Sequence, residues 1–157
     1  MVMMNGRPVL WYLKRHLNDY GISDITVNLH HKPMQFMSYF KDELQFVYEP
    51  KPLGEEETVS RFKKKNVDPF VVMNGDTLTN INIEKMYELA DNKNIMSMEN
   101  GIYTGTSIVF PNFTGKPTVF EDSKTKWLDV GTWQGLGKAG EFTKQLEAER
   151  AIEKGVN

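Results

Sequence analysis

At 157 residues, 39% hydrophobic and 25% charged with a formal net charge of -2, the chain has the make-up of one folded domain, expected over residues 1–157, and not of a disordered segment. Without a basic excess no nucleic-acid partner is expected; without cysteine there are no disulfides or thiolate metal sites, and His16, His30 and His31 are too few and too badly placed for an imidazole cluster. No apolar run approaches the roughly 18 residues of a membrane span, and Met1 to Pro8 lacks the charged start and apolar core of a signal peptide, so no membrane contact and a cytoplasmic location are expected.

Apolar runs alternate with amphipathic ones, the pattern of βαβ units that pack helices on a mostly parallel sheet. Pro8 and Gly21 bracket a first helix in which Val9, Leu10, Leu13 and Leu17 recur at helical spacing. Asp24 to Leu29 reads as a strand, Pro33 to Phe40 as a helix and Gln45 to Tyr48 as a short strand. Glu55 to Lys65 is a helix with acids in its first turn and lysines in its last, a charge order that suits the helix dipole. Phe70 to Met73 (FVVM) is the most apolar strand, and its unbroken hydrophobicity predicts a central position covered on both faces. Ile83 to Ala90 is a helix. Short strands follow at Ile95 to Met98, Thr104 to Phe110, Thr118 to Phe120 and Lys126 to Leu128, and Trp133 to Lys154 closes the chain as a long helix.

Asp76, in Asn74-Gly75-Asp76-Thr77, falls just beyond the apolar strand. In open α/β sheets ligands bind in the crevice outside the carboxyl ends of the strands, and Gly75 would let the backbone turn sharply or approach a ligand. A carboxylate in that position suits Mg²⁺, which takes a few carboxylates together with waters and phosphates. The competing reading is a plain turn, since Asn, Gly and Asp are turn residues for backbone reasons. Trp127-Leu-Asp129-Val-Gly131-Thr132 repeats the design: a short apolar strand, an aspartate, a glycine, then a helix for which Thr132 can serve as N-cap. Two such aspartates converging from different strands could clamp metal over a polyphosphate.

Other features are weaker. Gly135-Leu-Gly137-Lys-Ala-Gly140 has the spacing of a dinucleotide fingerprint, but it lies inside a predicted helix instead of following a strand, so close packing is the expected reason for its glycines. Glu55-Glu56-Glu57 and Lys63-Lys64-Lys65 read as solvated helix ends. His30-His31 sits at a strand end, where it could touch a ligand, although surface or capping roles are the stronger expectation.

Taken in order, Asn5-Gly-Arg-Pro-Val-Leu-Trp-Tyr-Leu, Asp24-Ile-Thr-Val-Asn-Leu-His30, Tyr48-Glu-Pro-Lys-Pro-Leu-Gly54, Asn74-Gly-Asp-Thr-Leu78, Tyr103-Thr-Gly-Thr and Trp127-Leu-Asp-Val-Gly-Thr132 resemble the sugar nucleotidyltransferases, from Met3 to about Gln145. The resemblance implies a Rossmann-like α/β/α three-layer fold, truncated at the amino-terminal strand. It implies nucleotidyl transfer, in which a sugar 1-phosphate attacks the α-phosphate of a nucleoside triphosphate to give an NDP-sugar and pyrophosphate. By the same resemblance Asp76 and Asp129 would hold Mg²⁺, Leu53 and Gly54, with Gly75, would lie at the nucleotide, and Thr104, Gly105 and Trp127 at the sugar. The family's Gly-rich phosphate loop has no counterpart in the sequence, and Glu55-Glu56-Glu57 stands where the family has small residues near the base. That departure motivates a second expectation: a catalytically inactive module of the same fold that binds a sugar phosphate or a partner subunit, a second copy of the chain included.

Overall fold

A computed structural model describes residues 1–65, 68–153 and 155. The chain opens with a miniature hairpin, β1 (Met3–Met4) against β2 (Arg7–Pro8). Its two-residue turn is Asn5-Gly6, both at positive φ (47° and 76°), the backbone that matches the twist of an antiparallel pair. Helix α1 (Val9–Asp19) buries Val9, Leu10, Leu13 and Leu17. It stops at Gly21, φ 74°, where the Gly21 and Ile22 N–H groups donate to the Asn18 and Leu17 carbonyls at 3.0 and 3.1 Å, the paired bonds of a Schellman ending.

Next come β3 (Thr26–Leu29), α2 (Pro33–Phe40), β4 (Gln45–Tyr48), α3 (Glu55–Lys65), β5 (Phe70–Met73) and β6 (Thr77–Thr79). Helix α4 (Ile83–Ala90) is capped by Asn82, whose side chain accepts the Lys85 N–H at 2.8 Å, and it lays Ile83, Met86 and Ala90 against the core. Strands β7 (Ile95–Glu99), β8 (Ile102–Val109), β9 (Thr118–Phe120) and β10 (Trp127–Asp129) lead to α5 (Trp133–Glu153). Lys154, the expected last residue of that helix, lies outside the described residues. Among the described residues no helix is long and apolar enough to cross a membrane.

The sheet strands pair in both directions. The expectation of a mostly parallel sheet holds for β3 with β4 and for β7 with β9, while β5–β8, β7–β8 and β6–β10 are antiparallel. For β7 and β8 the reason is local. Only Asn100-Gly101 separates them, both at positive φ (51° and 79°), and a tight turn joins only antiparallel neighbours. Strand β5 departs from its expected central place. It is the outer member of the ladder β5-β8-β7-β9, and all four of its residues are half-buried, not covered on both faces.

Two apolar clusters hold the elements together. The larger joins Phe40, Ile81, Met86, Ile95, Ile108 and Phe120, six side chains at most 2% exposed, each contributing roughly 1.5–3 kcal/mol by burial. The smaller joins Met4, Val9, Leu13, Leu78, Val130 and Ala139. It clamps β6 and β10 between α1 and α5, and so fixes the ends of the two strands that carry the aspartates.

Candidate functional site

The turn reading and the ligand reading of Asp76 are compatible. Asn74 to Thr77 is a β-turn closed by the Thr77 N–H on the Asn74 carbonyl at 3.3 Å, and it delivers the chain into β6, a strand of three residues that sequence pattern did not reveal. Strand β6 runs antiparallel to β10 with Thr77 opposite Asp129. One step further, the Val130 N–H donates to the Asp76 carbonyl at 2.8 Å. The pairing therefore draws together two aspartates that lie far apart in the chain.

Their carboxylates converge on one glycine. A Cβ built on Gly131 would stand 3.0 Å from Asp76 Oδ2 and 3.1 Å from Asp129 Oδ1. The two oxygens thus flank a single point that any larger residue would fill. Asp129 is oriented by the Gly131 N–H, which donates to its Oδ1 at 2.7 Å. Asp76 is exposed and Asp129 half-buried, so both reach solvent.

Helix α5 begins at once after this pair. Thr132 is its N-cap: its hydroxyl oxygen accepts the Gly135 N–H at 3.1 Å. Gly135 has no freedom to be anything else, because a Cβ there would lie 1.6 Å from the Asp129 carbonyl oxygen. The close-packing explanation of the Gly135-x-Gly137 spacing therefore holds for Gly135. It does not extend to Gly137, where a Cβ meets nothing within 4 Å.

The residues assigned to the sugar divide. Gly105 (φ 82°) abuts the dyad turn: a Cβ there would lie 2.9 Å from Thr77 Oγ1 and 3.3 Å from Asn74 Cβ, and its carbonyl accepts the Asn74 N–H at 2.8 Å. Thr104 is 3% exposed, and its hydroxyl donates to Ser97 Oγ at 2.6 Å. Ser97 in turn donates to the Thr106 carbonyl at 2.9 Å and accepts the Thr106 N–H at 3.3 Å. This hydroxyl pair fastens the place where the β7–β8 register slips between Met96 and Met98, a bulge of the kind that re-aims strands beside functional sites. Trp127 is half-buried, and its indole N–H donates to Glu99 Oε2 at 2.5 Å. Ser97, Glu99, Thr104 and Trp127 line one small cleft, with Asp122 and Thr125. Ser97 and Glu99 escaped sequence reading, since neither stands in a motif.

Leu53 and Gly54 lie apart from this group in a loop organised by Glu49. That carboxylate accepts from Asn28 Nδ2 (3.1 Å), the Thr58 hydroxyl (3.2 Å) and the Leu53 N–H (3.4 Å). Gly54 takes φ 81° and starts α3, its carbonyl accepting the Thr58 N–H at 3.2 Å. The loop is tied to β8 by the Tyr103 hydroxyl, which donates to Glu55 Oε1 at 3.5 Å and meets Ser107 Oγ at 2.9 Å; burial pushes this phenol's pKa up. Gly75 sits in the open, with nothing within 4 Å of a Cβ. His30 is exposed, its Nδ1–H donating to the Glu49 carbonyl at 2.8 Å.

Among the described residues no three His, Asp or Glu gather as a metal cage. The donor set is the two carboxylates. This fits Mg²⁺, which binds through one or two carboxylates and completes its octahedron with waters and substrate phosphates.

The fold is the Rossmann-like α/β/α fold of the nucleotidyltransferases. Over 91% of its length the chain superposes on 88% of HddC from Yersinia pseudotuberculosis with a TM-score of 0.78 at 22% identity. Over 90% it superposes on 84% of a candidate glucose-1-phosphate thymidylyltransferase from Bacillus anthracis, solved with sucrose, with a TM-score of 0.73 at 14% identity. In sequence it is 28% identical over 94 residues to a D-glycero-alpha-D-manno-heptose 1-phosphate guanylyltransferase from Aneurinibacillus thermoaerophilus, matching 56% of this chain and 41% of that protein. The chain thus spans less than half the length of that curated relative. No family model matches it. The likeness in sequence is to the guanylyltransferase; the two structures share the fold.

Proposed function

We propose that the chain carries the catalytic face of a sugar-phosphate nucleotidyltransferase. In this reaction a phosphate oxygen of a sugar 1-phosphate forms a bond to the α-phosphorus of a nucleoside triphosphate. The bond to the β-phosphate breaks, and pyrophosphate leaves. The observation that carries the reading is the convergence of Asp76 and Asp129 on Gly131 at the ends of β6 and β10, supported by the guanylyltransferase relative.

The roles follow from chemistry. Asp76 and Asp129 would hold Mg²⁺, which when bound supplies positive charge at the α-phosphate and a template for the two reactants. Gly131 keeps the space between the carboxylates free, and Gly105 lets the β8 bulge approach the dyad turn. Trp127 and Gly105 would border the sugar, with Thr104 contributing through the bulge it fastens, because its hydroxyl is already engaged. Leu53, Gly54 and Gly75 would border the nucleotide. Holding both reactants in line removes the entropy cost of a bimolecular encounter.

Titration calorimetry with Mg²⁺ and nucleoside triphosphates, beside a pyrophosphate-release assay with sugar 1-phosphates, tests this. Wild-type protein is expected to bind and turn over, and Asp76→Ala to lose turnover by at least about a hundredfold. Binding without turnover would favour the inactive-module reading, which the engaged Thr104 hydroxyl and the acidic start of α3 support. Neither binding nor turnover would end the catalytic reading.

A further inference from the structure

The chain has three tryptophans, and two have partners. Trp11 lies under the guanidinium groups of Arg7 and Arg15, 4.6 and 5.2 Å from its ring centre, and Trp127 donates to Glu99. Trp133 is 91% exposed. That is an unusual state for the side chain with the most apolar surface to bury, and no hydrogen bond or ring contact among the described residues holds it.

Its position is specific. Trp133 is the first residue of α5, two after the Gly131 that both carboxylates flank and one after the Thr132 cap. Side chains of a helix tilt toward its amino terminus, so Trp133 projects into solvent at the end of α5 that follows Asp129. On β10 the alternation of side chains puts Trp127 and Asp129 on one face and Leu128 on the other, and Leu128 packs with the smaller core cluster. Trp127 and Trp133 therefore flank Asp129 in the chain, one fixed by Glu99 and half-buried, the other unpartnered and exposed.

We infer that Trp133 is a binding residue for the sugar 1-phosphate, covering the apolar C–H face of the ring while Trp127 and the hydroxyl- and carboxylate-lined cleft take its polar edge. A flat hydrocarbon face matches the axial C–H face of a pyranose, whereas Glu99 and Thr125, which line the cleft beside Trp127, match its hydroxyls. The ring's phosphate would then stand at the carboxylate pair between the two indoles. The inference rests on the sugar-phosphate reading above and adds to it a residue that sets affinity for the acceptor.

The test uses acrylamide quenching of intrinsic fluorescence, with mannose 1-phosphate and glucose 1-phosphate as probes in the presence of Mg²⁺, and calorimetry on the same samples. In the free protein Trp133 should supply most of the acrylamide-accessible emission, and Trp133→Phe should remove it. Sugar 1-phosphate should protect that emission in wild type, and Trp133→Ala should weaken its binding about tenfold while Trp133→Phe weakens it less. In turnover the Ala variant should raise KM for the sugar phosphate and leave kcat within about twofold. Sugar phosphate that binds wild type and Trp133→Ala equally, with Trp133 still open to acrylamide, overturns the inference and leaves the catalytic reading intact. Protection by a nucleoside triphosphate alone assigns the indole to the base and also overturns it. If no sugar phosphate binds the wild-type protein, both fall together.

Discussion

The dyad end of the β6–β10 ladder and the β7–β8 bulge beside it were both expected to face substrate, yet they are built on opposite plans. At the dyad the backbone does the structural work: the Val130 N–H holds Asp76 by its carbonyl, Gly135 meets Asp129 by its carbonyl, and the carboxylates are left reaching outward. At the bulge the side chains do that work, with Thr104 and Ser97 bonded to each other and to Thr106 inside the protein. A polar side chain is available to a ligand only where something else secures its strand, so Asp76 and Asp129 are candidate ligands in a way that Thr104 is not.

Substitutions can break this comparison on either side. The largest effect is expected at Gly135, where a Cβ would enter the Asp129 carbonyl at 1.6 Å. Gly135→Ala should cost more than about 4 kcal/mol and yield little folded protein. Gly137→Ala, two residues on and free of neighbours, should instead raise stability by about 0.5–1 kcal/mol through helix propensity. Urea unfolding of the pair checks both, and a tolerated Gly135→Ala would remove the claim that backbone contact fixes the dyad.

On the bulge, Ser97→Ala removes the hydroxyl that Thr104 and Thr106 share and leaves buried groups unpaired. A loss of about 1–3 kcal/mol is expected, with any change in substrate binding following from that destabilisation. Gly131→Ala is the converse. Its methyl would press on both carboxylate oxygens at 3.0 and 3.1 Å, where the flexible side chains can swing aside, so stability should change by less than about 0.5 kcal/mol while Mg²⁺ affinity falls about tenfold. Melting curves and Mg²⁺ titrations on both variants separate the plans.

Sequence reading followed the same division. Elements with their own punctuation were legible: α1 between Pro8 and Gly21, and α3 between its acids and lysines. What it missed is set by contacts distant in the chain. Strand β6 is Thr77-Leu78-Thr79, too short for periodicity, and exists because β10 pairs with it. Strand β5 reads as a central strand because its residues are all apolar, yet its place at the edge of its ladder is decided by which strands lie beside it. The dyad was found because both aspartates stand within two residues of a glycine at a strand end. Ser97 and Glu99 were not, because their partners Thr104 and Trp127 meet them through a bulge and a cleft that no spacing reveals.

Behind the β6–β10 ladder, on the side of α1, His16 offers a smaller effect with a defined sign. Its Nε2–H donates to the Ile81 carbonyl at 3.0 Å, which Tyr20 also reaches at 3.3 Å. Burial depresses its pKa; the Ile81 carbonyl and Asp19 oppose that shift, and Arg150, paired to Asp19, adds to it. With the folded pKa below the unfolded value of about 6.5, the unfolded chain binds the extra proton between the two. Stability is therefore fully present above about pH 6.5 and declines as pH falls toward the folded value. His16→Gln retains a donor for Ile81 without the titration, so its melting temperature should fall less than that of wild type between pH 7 and pH 5.5. Both proteins share the carboxylates that titrate lower, Asp122 among them, held down by Lys85, so the difference between the two slopes isolates the imidazole. Equal slopes would mean that His16 is as free to protonate in the folded protein as in the unfolded chain.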